Sequence, residues 1–194
     1  KIIDLAANIT ETSKVGEQPP NITISQMVRK GKDKSRLISG NSTIITDGNV
    51  ITIKETGKEP VIVNQEAYFM PGEMPEIDYQ YRLAEFLTQH KVDVVGREPS
   101  KITVEAVPDS IERGYSKLRL VINVKSGIDL ISETYGEDGK LMLKQEVLEY
   151  QDIGGVNIPT KYEETLYVDT GTIVTTAELS NIRLNEGVSD EEFK

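Results

Sequence analysis

Apolar and polar residues alternate in short runs along most of this chain, and each run is cut by a turn. From Asn21 to Arg29, Ile22, Ile24 and Gln26 fall on one side while Thr23, Ser25 and Met27 fall on the other. A period of two places successive side chains on opposite faces of a strand. The run breaks at Lys30-Gly-Lys-Asp33, a basic turn. Ser35 to Ser39, Thr43 to Thr46 and Val50 to Lys54 follow, separated by Gly40-Asn41 and by Asp47-Gly48-Asn49. The second separator is a strong hairpin signal, because glycine tolerates the positive φ that a two-residue loop needs. Pro60 to Asn64 adds a short strand. Met70-Pro-Gly-Glu-Met-Pro75 then carries two prolines that exclude both helix and central strand.

Glu76 to His90 changes period. Ile77, Tyr81, Ala84, Phe86, Leu87 and His90 sit mostly at helical spacing, so the pattern predicts a helix with one stripe turned to a sheet. Strands resume at Val92 to Gly96, Lys101 to Val107, Lys117 to Val124, Asp129 to Tyr135, Leu141 to Tyr150, Lys161 to Val168 and Ile173 to Leu184. Leu118, Leu120, Ile122 and Val124 share one face of their strand, with Arg119 and Asn123 on the other. Gly136-Glu-Asp-Gly-Lys140 and Asp169-Thr-Gly171 supply hairpin turns, and Ile153 to Pro159 reads as a broader reversal. About a dozen strands in up-and-down order cannot lie flat, since twist accumulates across a sheet. The expected fold is therefore mainly β (α+β): a large antiparallel meander curled into an unclosed β-barrel, with a helix plugging the concave side.

Composition agrees with this reading. Ile, Val and Thr together number 54 and Ala only 6, a balance that favours pleated strands. A length of 194 residues fits one domain with a real core. A net charge of −10 repels phosphate backbones, so nucleic acid is not an expected partner. The chain holds no cysteine, which removes disulfides and thiolate metal sites. No run approaches the roughly 20 apolar residues that cross a bilayer. The opening segment Lys1 to Ile9 is apolar and reads as the remnant of a helix or strand. A signal peptide, or a lipid-anchored Cys with its tether, is expected ahead of Lys1, which makes the anchor the route to any membrane.

The search for chemistry is mostly negative. His90 is the single histidine, with no second histidine or cysteine to form a nucleophile pair or a zinc set, and it reads as a helix-end capping or surface group. The serines lack a nucleophile elbow, and Gly154-Gly155 is not followed by a helix pattern that could cradle phosphate. Glu137, Asp138 and the tail Asp190-Glu191-Glu192 do not match calcium-loop spacing and read as solvated turns. Glu163 and Glu164 are adjacent in a strand and so point to opposite faces. The expectation is a protein that is not an enzyme, with no catalytic residue, metal or cofactor. What remains is an apolar face. Leu118, Leu120, Ile122, Leu141, Leu143 and Leu166 on the strands, with Phe86 and Leu87 on the helix, are the candidate lining of an apolar cavity.

Several short motifs in order resemble a known family. Lys34-Ser-Arg36-Leu, Ile44-Ile-Thr-Asp-Gly48, a helix, Val107-Pro108, Leu118-Arg-Leu-Val-Ile122, the Gly136-Glu-Asp-Gly139 turn, Glu149-Tyr-Gln-Asp152, Gly155-Val-Asn-Ile-Pro159 and Asn181-Ile-Arg-Leu-Asn185 before Val188-Ser-Asp-Glu-Glu-Phe193 are together similar to the LolA, LolB and RseB outer-membrane lipoprotein-sorting superfamily. The resemblance runs from about Asn21 to Phe193. It implies one LolA-like domain over residues 1–194 with its N-terminal helix truncated, an unclosed barrel, and an apolar cavity receiving lipoprotein acyl chains or lipid. It also implies that Arg36 helps hold a lid. Two roles follow as expectations: an extracytoplasmic lipid or lipoprotein carrier of the periplasm or cell envelope, or a lipid-anchored accessory or regulatory lipoprotein that binds a specific envelope protein, as RseB-type sensors and amidase-supporting spore proteins do.

Overall fold

The computed structural model describes residues 3–31, 33–64, 88–109 and 115–194. Thirteen strands account for most of them: β1 (Asp4–Val15), β2 (Asn21–Lys30), β3 (Lys34–Ser39), β4 (Ser42–Asp47), β5 (Val50–Glu55), β6 (Val61–Asn64), β7 (His90–Arg97), β8 (Lys101–Pro108), β9 (Lys117–Asn123), β10 (Asp129–Tyr135), β11 (Leu141–Ile153), β12 (Val156–Val168) and β13 (Gly171–Leu184). A 3₁₀ turn, Asp190–Phe193, follows. The strands form one sheet in the order β6-β5-β4-β3-β2-β1-β13-β12-β11-β10-β9-β8-β7. Closure would require β6 to pair with β7, and these are instead its two ends. The fold is mainly β with an unclosed antiparallel meander. The predicted helix falls largely outside the described residues, Phe86 and Leu87 included. Thr88 and Gln89 are helical and His90 already begins β7.

Local chemistry places the turns. Asp47 pairs with Val50 across Gly48-Asn49, and Gly48 has φ 60°, the left-handed geometry that a side chain disfavours. The reversal expected over residues 153–159 is tighter than its sequence indicates. Gly154 and Gly155, at φ 63° and 84°, make the whole turn, and Asp152 Oδ1 accepts from the Gly155 N–H at 2.8 Å. β12 therefore starts at Val156 and takes in Pro159, opposite Tyr150. Proline lacks the ladder donor, and it lies beside register shifts at Val147/Glu149 and Glu149/Tyr150, where a bulge relaxes that requirement. The opening segment is a strand, and a central one: β1 lies between β2 and β13. Leu5, Ala6, Ala7 and Ile9 are buried, as a strand covered on both faces demands.

The chain divides into two compact units. The first comprises residues 1–11, 22–78 and 178–194, the second residues 12–21 and 79–177. Leu5, Ile9, Met27, Ile45, Ile51, Leu179 and Phe193 are buried in the first, and Val104, Ala106, Ile128, Ile158, Tyr162 and Ala177 in the second.

Candidate functional site

In the second unit the register settles which predicted residues share a face. Val92, Ala106, Leu118, Thr134, Leu143 and Leu166 stand opposite one another from β7 to β12. Directly opposed residues of an antiparallel ladder project to the same side. The next row on that side is Val94, Val104, Leu120, Ser132, Gln145 and Glu164. Ile122 follows, opposite Ile102 and Asp129. Leu118, Leu120, Ile122, Leu143 and Leu166 thus occupy one face, apolar over β7 to β9 and more polar toward β12, where Gln145 donates to Glu164 at 2.9 Å. Ala106 is fully covered, whereas Leu118, Leu120, Ile122, Leu143 and Leu166 are half-buried and Val94 is 48 % exposed.

Leu141 departs from the expectation. It opposes Tyr135, while Leu143 opposes Thr134, so a register shift leaves Met142 as an extra residue. Tyr135 and Thr134 are neighbours and face opposite ways, and the bulge therefore carries Leu141 off the face of Leu143.

The other face is a charge ladder. Glu105, Arg119, Glu133 and Lys144 stand opposite one another with alternating sign. Lys117 donates to Glu105 at 3.0 Å and lies 4.7 Å above the Tyr135 ring. Tyr135 donates to Glu133 at 2.8 Å. Burial, then the Glu133 hydrogen bond and charge, hold the Tyr135 phenol above its ordinary range. The hydrogen bond to Glu146, at 2.7 Å, raises Lys144. The next row on this face is Thr103, Val121, Ile131, Glu146 and Glu163, so it mixes charged and apolar positions.

His90 is not at the surface. It is 5 % exposed, and its Nε2 lies 2.6 Å from the Tyr115 hydroxyl with the two rings stacked.

Arg36 belongs to the first unit, at a second feature that the sequence did not announce. The chain turns back after β13 and lays the 3₁₀ turn beside β3 and β4. Asp4, 4 % exposed, accepts the backbone N–H groups of Glu186, Gly187 and Val188 at 3.0, 3.1 and 3.2 Å. Asn185, at φ 58°, accepts the Ile3 N–H at 2.6 Å. Ser189 caps the 3₁₀ turn by accepting from Glu191 N. Phe193 is buried. The tail Asp190-Glu191-Glu192, expected as a solvated acidic run, is instead tied down in part. Lys30 and Lys34 reach Asp190 at 3.0 and 3.4 Å, and Arg36 pairs with Glu192. The Lys30 hydrogen bond, with the charges of Lys30 and Lys34, holds the Asp190 carboxyl below the usual carboxylate range. Lys54 Nζ donates to the Lys194 main-chain oxygen at 3.1 Å.

Beneath this strap lies a cavity of about 530 Å³, lined by β1, β2, β3, β13 and the strap, Arg36 among its walls. Its lining is largely polar, and none of Leu118, Leu120, Ile122, Leu141, Leu143 or Leu166 contributes to it. Asp4 and Phe193 escaped the sequence reading because a single carboxylate in an apolar run, or a phenylalanine in an acidic tail, carries no periodic signal.

Among the described residues, no helix is long and apolar enough to cross a membrane. A family model described only as an uncharacterized protein matches residues 74–194. No curated protein matches the chain. Many solved structures are similar to the chain, three of them as follows. A DUF1329 family protein from Desulfovibrio piger is 15% identical, with TM-score 0.79, covering 100% of this chain and 90% of that one. An outer membrane lipoprotein-sorting protein domain from Vibrio parahaemolyticus is 13% identical, with TM-score 0.76, covering 98% and 89%. A LolA superfamily protein from Nitrosomonas europaea is 15% identical, with TM-score 0.71, covering 98% and 90%.

Proposed function

Because the chain belongs to the family whose model spans residues 74–194 and has the LolA-like fold, we propose that it is an extracytoplasmic binding protein, not an enzyme, that holds acyl chains of a lipid or lipoprotein. The supporting observation is the leucine face. Leu118, Leu120, Ile122, Leu143 and Leu166 share one side of the sheet and remain half-buried, whereas the opposite side mixes the ladder of Glu105, Arg119, Glu133 and Lys144 with Val121, Ile131, Glu146 and Glu163. Each methylene laid on such a face contributes about 0.8 kcal/mol without any directional bond. A chain of a dozen methylenes needs only part of that to bind. Phe86 and Leu87 are proposed as further contacts and Arg36 as a holder of the strap. A lipid anchor completes the proposal, and would hold the protein at an envelope membrane.

Native mass spectrometry of the protein purified without detergent tests this. The expected result is a bound acyl species that is lost on organic extraction, regained with palmitate, and reduced several-fold in occupancy by Leu118→Asp combined with Leu143→Asp. A protein that neither copurifies with nor takes up an acyl chain overturns the proposal.

One observation favours a protein partner as a second reading. β7 ends the sheet and exposes Val94 and Val95 by 48 % and 53 %, and an apolar edge strand is a surface on which another chain can add a strand. Crosslinking confined to Lys91 and Lys101 in an envelope extract would support that role.

A further inference from the structure

The cavity under the C-terminal strap is chemically unlike the leucine face, and we infer that it is a binding site for a neutral, hydroxyl-rich ligand, a short carbohydrate. Its volume of about 530 Å³ falls in the range of small-molecule sites, roughly 300–1,000 Å³. The charges in its wall already have partners. Asp4 accepts three backbone N–H groups, Arg36 pairs with Glu192, and Arg183 lies 3.5 Å from Glu186. With three carboxylates against two guanidinium groups, an added anion meets a net negative wall, and a cation finds no free carboxylate pair. An acyl chain would strand the polar lining.

What the wall leaves open is neutral hydrogen-bonding capacity. Asn8 on β1, half-buried, and Gln26 on β2 and Asn181 on β13, both exposed at the cavity mouth, line the cavity. A carboxamide offers two donors and an acceptor with two lone pairs, the complement of vicinal hydroxyls that both donate and accept. Arg36 adds a stronger mark: its Nε is buried and has no hydrogen-bond partner. A buried unpaired donor is costly, and a ligand hydroxyl or ring oxygen would satisfy it. Asn181 holds φ 52°, a left-handed geometry that asparagine tolerates.

The test is a titration of the full chain with maltose, cellobiose and N,N′-diacetylchitobiose, followed by ¹⁵N NMR of the side-chain amides. The expected result is saturable shifts at Asn8, Gln26, Asn181 and Arg36 Nε with at least one disaccharide. Gln26→Ala combined with Asn181→Gly, the latter keeping the left-handed backbone, should weaken that binding about tenfold. The spectrum of the double variant reports whether the fold is intact, and Gln26→Ala alone serves if it is not. Absence of shifts with all three sugars overturns the inference. So do equal shifts with inorganic phosphate, or binding unchanged in the variants. Palmitate uptake at the leucine face is read separately, so the two proposals stand or fall apart.

Discussion

At the residue scale the most consequential side chain is Asp4. Its carboxylate is buried and satisfies three consecutive backbone donors of the returning chain. Removing the acceptor while the donors stay covered costs the desolvation of groups left unpaired, more than the net worth of the bonds themselves. Asp4→Ala should lower unfolding stability by about 2 kcal/mol, read as a smaller urea midpoint at unchanged slope. Asp4→Asn, which keeps one acceptor oxygen, should fall between. Nothing in the sequence distinguishes Asp4 from the other aspartates, since its partners lie some 180 residues away. His90 follows the helical Thr88 and Gln89, as its periodicity indicates, but it is buried rather than exposed because β7 begins there and Tyr115 stacks on it.

At the element scale, strands with period-two alternation and glycine turns were legible almost to the residue. The meander from β2 to β5 follows its turn signals, because Gly40 and Gly48 each adopt positive φ and fix the hairpin on either side. Two kinds of element resisted. β1 and the first half of β12 are buried on both faces or interrupted by proline, so neither shows clean alternation. The bulge at Met142 leaves no mark in an alternating run, yet it moves Leu141 off the face of Leu143. The strap is the element with the clearest condition dependence. Asp190 has its carboxyl lowered by Lys30 and Lys34. A group with a lowered folded value contributes stability above its ordinary value and loses it as pH falls through the lowered one. Docking of the strap should therefore hold at neutral pH and loosen progressively below about pH 4. It should loosen earlier at 1 M salt, where exposed ion pairs are screened. A ¹⁹F label on Phe193 would report this, and a label insensitive to acid and salt would contradict it.

At the scale of the whole molecule, the unclosed sheet was readable because many short strands in up-and-down order admit few other arrangements. The site was readable only in part. Alternation put Leu118, Leu120, Ile122, Leu141, Leu143 and Leu166 on one face, and the register keeps all of them together except Leu141. The polar cavity under the strap was invisible, since its walls come from both ends of the chain. Hydrogen bonding runs through thirteen consecutive neighbours, and we propose that residues 1–194 act as one domain. Thermal unfolding should then show a single transition, with calorimetric and van't Hoff enthalpies equal. Two resolved transitions would make the two compact units independent.

The claim on which the functional account rests is that the leucine face takes the acyl chain. Methyl-resolved NMR of the full chain titrated with palmitate measures this most directly. The account predicts saturable shifts at the Leu118, Leu120, Leu143 and Leu166 methyls while Leu141, carried to the other side by the bulge, stays unmoved. Shifts confined to Leu141 and the charge ladder, or none at any leucine, would contradict it.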